Sequence, residues 1–216
     1  MESHEFHRRH LPHWDPGGVP IFLTWTLKGC LPEEVMERLR EERRRWEKRP
    51  PRRGETAAER RIREDKLFFL AVDRFLDRPG EGFGPMHLKD PNAAAIVEES
   101  ILHGAGERYD LLAWCVMSNH VHVLLKPRWK LSEVTRGIKG YTAHRINGLL
   151  GTRGRTLWQD ESYDHWARDE SAMMRIIDYI ENNPVAAGLC RRPEDWPASS
   201  ARFRYGWARG EAYPSS

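Results

Sequence analysis

Runs of alternating hydrophobic and polar residues predict the strands of this protein. Side chains two positions apart lie on the same face of a strand, so such a run can bury one face of a sheet. One run covers residues 19–27, and two more, residues 109–117 and 119–126, meet at Ser118-Asn119 as in a hairpin. Residues 156–166 mix aromatic and polar side chains and are also predicted to be extended.

Segments with a helical period separate these strands. Leu31-Pro32 opens the first helix and Pro50-Pro51 ends it, because proline suits the first helical turn and disrupts later ones. Ser132 is the predicted N-cap of a later helix, and Asn183-Pro184 is predicted to end the last one. The predicted helices cover residues 31–49, 56–76, 92–103, 131–149 and 170–182.

Charge changes this picture in one region. The chain has 216 residues, typical of one domain, and its 35 Lys+Arg against 32 Asp+Glu give a net charge of +3. Residues 38–66 alone carry +6, so the positive charge is concentrated in a predicted helical insertion. Two interpretations stay open: a solvated helix surface with internal salt bridges, or a contact surface for a phosphate backbone.

Cysteine usage and hydropathy exclude several classes. Cys30, Cys115 and Cys190 are far apart and include no CxxC pair, which argues against a disulfide framework and a thiolate zinc site. The first ten residues are polar, so no secretory signal is visible, and no apolar run is long enough to span a membrane. A cytoplasmic protein is expected, with residues 1–18 as a flexible arm.

His120 and His122 are the first candidates for chemistry. They follow the apolar end of one predicted strand and begin the next, with Val121 between them. Both imidazoles should therefore share one face while Val121 points into a core. Two imidazoles on a rigid face form half of a divalent-metal site. The alternative is that they are ordinary strand residues, because His-x-His also occurs by chance.

Tyr141 is a second candidate, on the predicted helix 131–149. Its core stripe would be Ile138, Thr142, Ile146 and Leu149, and Tyr141 lies about 90° from the centre of that stripe, at about 100° per residue. The helix contains Gly137, Gly140 and Gly148. Glycine is costly in a helix interior, so glycines around this tyrosine indicate that a backbone or ligand comes close. The alternative is that Tyr141 is an ordinary tyrosine at the boundary of the buried face.

An ordered series of motifs resembles the REP-associated tyrosine transposases, which are single-tyrosine members of the HUH (His-hydrophobic-His) nuclease class. The resemblance covers most of residues 12–205. The motifs are, in chain order, residues 22–27 (FLTWTL), 118–125 (SNHVHVLL), 139–143 (KGYTA) with Asn147, Gly154 with 157–159 (LWQ), 179–189 (YIENNPVAAGL) and 193–197 (PEDWP) with Ser199 and Ser200.

The resemblance implies a fold and a domain organisation. The fold would be α+β, a ferredoxin-like α/β sandwich with a central antiparallel sheet and helices on one face. A transposase domain would cover residues 19–190, with the basic helical insertion at about 38–76. The composition of residues 191–216, rich in Trp, Arg and Pro, separately predicts a C-terminal helical tail that wraps back onto the domain or extends toward a partner.

The resemblance also implies an activity. His120 and His122 would bind Mg²⁺ or Mn²⁺, and Tyr141 would attack a phosphodiester of single-stranded DNA. The products would be a 5′-phosphotyrosine link and a free 3′-hydroxyl, and attack by another 3′-hydroxyl would rejoin strands. The protein would thus be a transposase that nicks and joins DNA hairpins formed by palindromic repeats at the nucleoid. Whether it acts as a monomer or a homodimer stays open.

One departure from the family pattern concerns the third metal ligand. In related insertion-sequence transposases a polar residue one turn after the tyrosine completes the site, but here that position is Arg145, which has no lone pair for a metal. His144 is the candidate third ligand, and Arg145 a candidate clamp for the scissile phosphate. Further candidate DNA contacts are Asn119, Lys139, Arg153 and Arg155.

Two other functions stay open. The Arg145 departure fits a domesticated protein that binds DNA hairpins with little or no cleavage. An RNA-binding ferredoxin-like module would need aromatic platforms on its strands, for which Trp114 is the suggestive residue.

Overall fold

The computed structural model describes residues 7–9, 11–13, 18–77, 84–167 and 169–206. Its centre is a four-stranded antiparallel sheet in the order β4-β5-β3-β6. A separate antiparallel pair, β1 and β2, lies in the predicted N-terminal arm, whose flexibility stays a prediction. The strands are β1 (His7–Arg9), β2 (Leu11–His13), β3 (Ile21–Leu27), β4 (Tyr109–Val116), β5 (His120–Pro127) and β6 (Trp158–Trp166).

The first five helices lie in the segments whose hydrophobic period predicted them, and the sixth lies in the predicted helical tail. None of the helices in the described part of the chain combines the length and apolarity that a membrane crossing requires. They are α1 (Glu33–Glu47), α2 (Ala57–Leu76), α3 (Pro91–His103), α4 (Leu131–Leu149), α5 (Glu170–Ala186) and α6 (Ala201–Gly206).

The connectivity confirms the ferredoxin-like prediction. Elements β3, α3, β4, β5, α4 and β6 follow one another as the β-α-β-β-α-β motif of that fold. Helices α1 and α2 are inserted between β3 and α3, which is the predicted helical insertion. The Thr56 side chain begins α2 with a capping box, since it accepts from the Glu59 N–H while the Glu59 carboxylate accepts from the Thr56 N–H.

Two helix boundaries were predicted wrongly. Helix α4 begins at Leu131 with Lys130 as N-cap and no side-chain cap, so Ser132 lies inside the first turn. Helix α5 continues through Pro184 to Ala186. The missing Pro184 N–H is tolerated because the last turn is closed by other bonds, from Ala187 N–H to the Asn183 carbonyl and from Leu189 N–H to the Pro184 carbonyl.

Helices cover both faces of the sheet, although the resemblance implied one. Val121 and Val123 pack, as predicted for Val121, in the core that α3 and α4 share with one face. The opposite face carries His120 and His122, and α5 packs there through Ile177, among other residues. The core stripe of α4 is confirmed at Ile138, Thr142 and Ile146, whereas the predicted Leu149 is exposed.

The described part of the C-terminal tail wraps back onto the domain, which was one of its two predicted arrangements. It runs along the free edge of β4, where Val116 N–H donates to the Ala198 carbonyl at 2.8 Å and Ser200 N–H to the Trp114 carbonyl at 2.9 Å. Residues 207–216 of the predicted tail lie outside the described residues. The tail therefore shields a sheet edge that would otherwise present unpaired backbone groups.

Candidate metal and nucleophile site

The two histidines of β5 face each other inside the protein. Both side chains are fully buried, and their Nε2 atoms are 3.0 Å apart. They share a face because they are two residues apart on one strand, which pairs with β3 at Thr24 and Thr26. The sequence prediction of two adjacent imidazoles is thus confirmed, and the pair is buried rather than solvent-exposed.

Hydrogen bonds hold the outer nitrogen of each ring. Asn119 Oδ1 lies 2.7 Å from His120 Nδ1, and Asn119 Nδ2 donates to the Leu76 carbonyl at 3.2 Å, which fixes the orientation of the amide. Thr24 Oγ1 lies 2.7 Å from His122 Nδ1. With protons on both Nδ1 atoms, both Nε2 lone pairs are directed at the same point, as in metal sites with oriented histidines.

Asp73 brings a carboxylate to this point from α2. Its Oδ1 lies 3.3 Å from His122 Nε2 and 3.7 Å from His120 Nε2. Asp73, His120 and His122 form the group of potential ligands found among the described residues, and all three are buried. Asp73 Oδ1 has no hydrogen-bond partner there. A buried acceptor without a donor is costly, and a bound cation would satisfy it.

The electrostatics of the site favour the ligating forms of His120 and Asp73. Burial, followed by the neighbouring His122, lowers the pKa of His120 to about 3, with Asp73 opposing, so His120 is neutral at physiological pH. Burial raises the pKa of Asp73, but His122, His120 and Asn183 together outweigh it, and the pKa is lowered overall. Neutral imidazole and ionised carboxylate are the forms that bind divalent metals.

A second carboxyl, Asp77, lies one helical turn after Asp73. Its Oδ1 is 3.8 Å from His120 Nε2 and has no hydrogen-bond partner among the described residues. Burial and then the negative charge of Asp73 raise the pKa of Asp77 to about 7. Two carboxyl groups that disfavour each other's ionisation therefore lie beside the histidine pair, and a bound cation would favour the ionised form of both.

Tyr179 and Asn183 come to the same place from α5. The Tyr179 hydroxyl donates to Asp73 Oδ2, and Asn183 Nδ2 donates to that oxygen at 3.2 Å. The Tyr179 and His122 ring centroids are 6.0 Å apart. Asn183 Oδ1 is buried without a partner among the described residues, so it is a further acceptor available to a cation. Tyr179 itself is only partly buried.

The structure does not bring Tyr141 or His144 to the histidine pair. Both are exposed on α4, which packs on the opposite face of the sheet, and 45% of Tyr141 is accessible. The Tyr141 hydroxyl accepts from Arg145 Nη1 at 2.6 Å. Asp73 and Tyr179 lie beside the histidine pair instead, and the roles predicted for Tyr141 and His144 stay predictions.

The predicted DNA contacts divide into two groups. Asn119 is buried and holds His120, so it supports the site rather than facing a ligand. The Lys139 ammonium donates to the Gln159 carbonyl at 2.7 Å and ties α4 to β6. Arg145, Arg153 and Arg155 are exposed, and their contact with DNA stays a prediction.

Tyr179 lies in one of the motifs that resemble the family, but the sequence predicted no role for it. One signal is present, because Asn183 is a polar residue one turn after Tyr179, the spacing described above for related insertion-sequence transposases. Asp73 had no such signal. It lies in a charged helix, 47 residues before His120, and only the packing of α2 against the sheet reveals it.

Comparisons with known proteins agree with the fold and the motifs. Residues 97–183 match the family described as "Transposase IS200 like". These residues include the histidine pair, Tyr141, Tyr179 and Asn183, whereas Asp73 lies outside them.

A curated relative from Haemophilus influenzae is named "Putative REP-associated tyrosine transposase". It is 24% identical over 103 residues, which are 43% of this chain and 58% of the relative. The chain thus spans less than two thirds of the length of that relative. A solved structure described as a REP-associated tyrosine transposase bound to a REP hairpin shares the fold, with a TM-score of 0.52 and 18% identity over 98% of this chain and 89% of that one. The resemblance to the REP-associated tyrosine transposases is therefore confirmed, and residues 97–183 are similar to the IS200-like transposase family.

Proposed function

We propose that this protein is a metal-dependent endonuclease and strand transferase for single-stranded DNA, with Tyr179 as its nucleophile. One observation carries the proposal. A strand, an inserted helix and a C-terminal helix bring His120, His122, Asp73, Asn183 and the Tyr179 hydroxyl to one buried cluster. A nucleophile beside a proton acceptor and a set of metal ligands is the arrangement that phosphodiester transfer needs.

The residues of α5 and α2 would carry the covalent step. The Tyr179 oxygen attacks phosphorus, forming an O–P bond as the bond from phosphorus to the 3′ oxygen breaks. Asp73 Oδ2 already accepts the phenolic hydrogen bond and is placed to take its proton, while the departing 3′ oxygen takes a proton and becomes a hydroxyl. A DNA 3′-hydroxyl attacking the phosphotyrosine reverses these bond changes and joins strands.

A divalent cation fits the ligands that the chain offers. Adjacent ligands of an octahedral Mg²⁺ site, each about 2.1 Å from the ion, lie about 3.0 Å apart. The two Nε2 atoms are 3.0 Å apart and Asp73 Oδ1 is 3.3 Å from His122 Nε2, which is close to that spacing. Asn183 Oδ1 would be the fourth protein ligand. When bound, Mg²⁺ or Mn²⁺ would neutralise charge on a non-bridging phosphate oxygen and orient it.

Palindromic DNA hairpins are the proposed substrates. The solved relative is described as bound to a REP hairpin, and the motif series of this chain resembles that family. Tyr179 is only partly buried, which leaves part of the side chain accessible to an unpaired strand. Such substrates would place the protein at the nucleoid.

The alternative of a domesticated hairpin-binding protein without cleavage loses its main support. It depended on Arg145 standing one turn after Tyr141, where a ligand was expected. If Tyr179 is the nucleophile, the corresponding residue is Asn183, which offers an amide oxygen. The candidate site then contains every group that the reaction requires.

The test is a covalent-adduct assay. The protein is incubated with labelled single-stranded DNA hairpins from repeats flanking its gene, with Mg²⁺, with Mn²⁺ and with chelator. We expect a metal-dependent protein–DNA adduct that resists denaturation and that maps to Tyr179 by peptide mass spectrometry. His122→Ala is the matched variant that should form no adduct while still binding the hairpin.

Two results would overturn the proposal. Tight hairpin binding without an adduct under either metal would leave only the domesticated binding protein. An adduct mapped to a tyrosine other than Tyr179 would leave a transposase but reject the site.

A further inference from the structure

The helical hairpin formed by α1 and α2 contains several salt bridges. Three of its acidic residues pair with arginines of the same hairpin. Arg43 Nη2 contacts Asp65 at 2.5 Å, Arg60 Nε contacts Glu64 at 2.7 Å, and Arg63 Nε contacts Glu55 at 2.7 Å. These pairs account for the salt-bridged interpretation of the basic insertion. The turn between the two helices keeps an excess of cations that these pairs do not neutralise.

That end is the cationic tip, defined as residues 44–53. It carries a net charge of +5, whereas the whole chain carries +3. Its one acid, Glu47, already contacts Arg43 at 3.2 Å. The six cationic side chains are exposed and form no ion pair with any residue that the structure describes. They are Arg44, Arg45, Lys48, Arg49, Arg52 and Arg53.

The tip is held in one conformation by bonds to its backbone. The Arg60 guanidinium donates to the carbonyls of Glu47 and Arg49, which closes the end of α1. The Glu55 carboxylate accepts from the Arg52 N–H at 3.0 Å, and Arg63 holds that carboxylate. Ordering the loop in advance lowers the entropy cost when its cations bind an anionic partner.

The other end of α2 reaches the candidate active site through Asp73. Ala57 and Asp73 are sixteen residues apart on one helix, which at 1.5 Å per residue places the tip about 24 Å from the histidine pair. Base pairs of a DNA duplex are spaced about 3.4 Å apart, so this distance corresponds to about seven base pairs.

We propose that the cationic tip binds the phosphate backbone of the hairpin stem, about seven base pairs from the strand held at Tyr179. The inference rests on the proposed function, because Tyr179 fixes one end of the DNA. The exposed cations contact phosphates and not base edges, so the tip adds affinity that depends on stem length and salt but not on sequence. The inserted helices thus make the affinity depend on whether the stem is long enough to reach the cationic tip.

The test compares two hairpins with the same unpaired cleavage segment and loop. One stem is about four base pairs long and ends before the tip, and the other is about fourteen and passes it, as judged from the spacing of base pairs. Dissociation constants are measured over a range of salt for the wild type and for Arg49→Gln/Arg53→Gln. The matched control is Lys130→Gln/Arg136→Gln, which removes two exposed cations at the start of α4, on the other face of the sheet.

We expect the tip variant to bind the long-stem hairpin about tenfold more weakly than the wild type does. Its slope of log K against log[salt] should fall by about two, since each lost phosphate contact contributes about 0.9. Binding of the short-stem hairpin should change less than about twofold, and the control should behave as the wild type on both. Circular dichroism and melting curves establish that both variants are folded.

The proposal is overturned if the wild type binds both stems equally, if the tip variant loses as much on the short stem as on the long one, or if the control loses as much as the tip variant. The short-stem hairpin separates failure of this proposal from failure of the proposed function. If no covalent adduct forms on it, the tyrosine chemistry is rejected. The dependence of binding on stem length still tests the role of the tip.

Discussion

Helices α4 and α5 each present a tyrosine, on opposite faces of the same sheet. On α4, Tyr141 is exposed and its hydroxyl accepts from Arg145, one turn later. On α5, Tyr179 is half-buried, and its hydroxyl donates to Asp73, which is shared with Asn183, one turn later. The first pair is a local contact within one helix. The second is part of a cluster that includes the histidines.

The difference shows what makes a tyrosine usable as a nucleophile. A free tyrosine has a pKa of about 10, so it needs a partner that takes its proton. Arg145 can only donate a hydrogen bond, so it offers Tyr141 no proton acceptor, whereas the Asp73 carboxylate accepts the hydrogen bond of the Tyr179 hydroxyl. A flank of glycines makes Tyr141 accessible, but access to solvent is not access to a metal.

The largest expected effect comes from exchanging the two tyrosines for phenylalanine. Tyr179→Phe should lower the rate of covalent adduct formation by at least about 10³-fold, because it removes the attacking oxygen. Tyr141→Phe should change it by less than about twofold, as expected for a surface position outside the reaction. Single-turnover adduct kinetics at saturating Mn²⁺ measure both. If both variants lost the same factor in adduct formation rate, Tyr141 and Tyr179 could not be assigned the different roles proposed here.

The next effect separates Asp73 from His144 as the third metal ligand. Asp73→Asn should weaken Mn²⁺ binding by about 100-fold, since it exchanges a carboxylate beside two imidazoles for a neutral amide. His144→Asn should leave it unchanged, because His144 is exposed on the other face. Isothermal titration with Mn²⁺ measures the affinity without DNA. A loss caused by His144→Asn would instead favour the ligand set inferred from sequence.

Sequence patterns predicted most of the fold because its core strands and helices are strongly periodic. The hairpin at Ser118-Asn119 and the helix after Thr56 follow from local signals that tertiary packing reinforces. The histidine pair also followed from the period of a strand. The choice between Tyr141 and Tyr179 did not, because it depends on which face of the sheet each helix covers. Asp73 required the packing of an insertion, which no local pattern encodes.

A smaller effect is expected from the residue that holds His120. Asn119→Ala should weaken Mn²⁺ binding by about 10- to 100-fold, the range for groups that orient a ligating histidine. The cause is loss of the 2.7 Å bond that keeps the proton on His120 Nδ1. Asn119→Asp keeps an acceptor there and should restore most of the affinity. If both variants bind equally weakly, Asn119 acts through the Leu76 carbonyl and the shape of the turn rather than through the histidine.

The smallest effect tests whether the glycines of α4 have any use. A Cβ at Gly140 would meet nothing within 4 Å, and the glycine lies inside a helix. Gly140→Ala should therefore stabilise the protein by about 0.5–1 kcal/mol and raise Tm by about 1–4 °C, by restricting the unfolded chain and favouring the helix. Differential scanning calorimetry measures the shift, and adduct formation should be unaffected. A variant that is more stable but binds hairpins more weakly would show that DNA approaches the backbone beside Tyr141. The α4 face would then be a binding surface, with the chemistry still on α5.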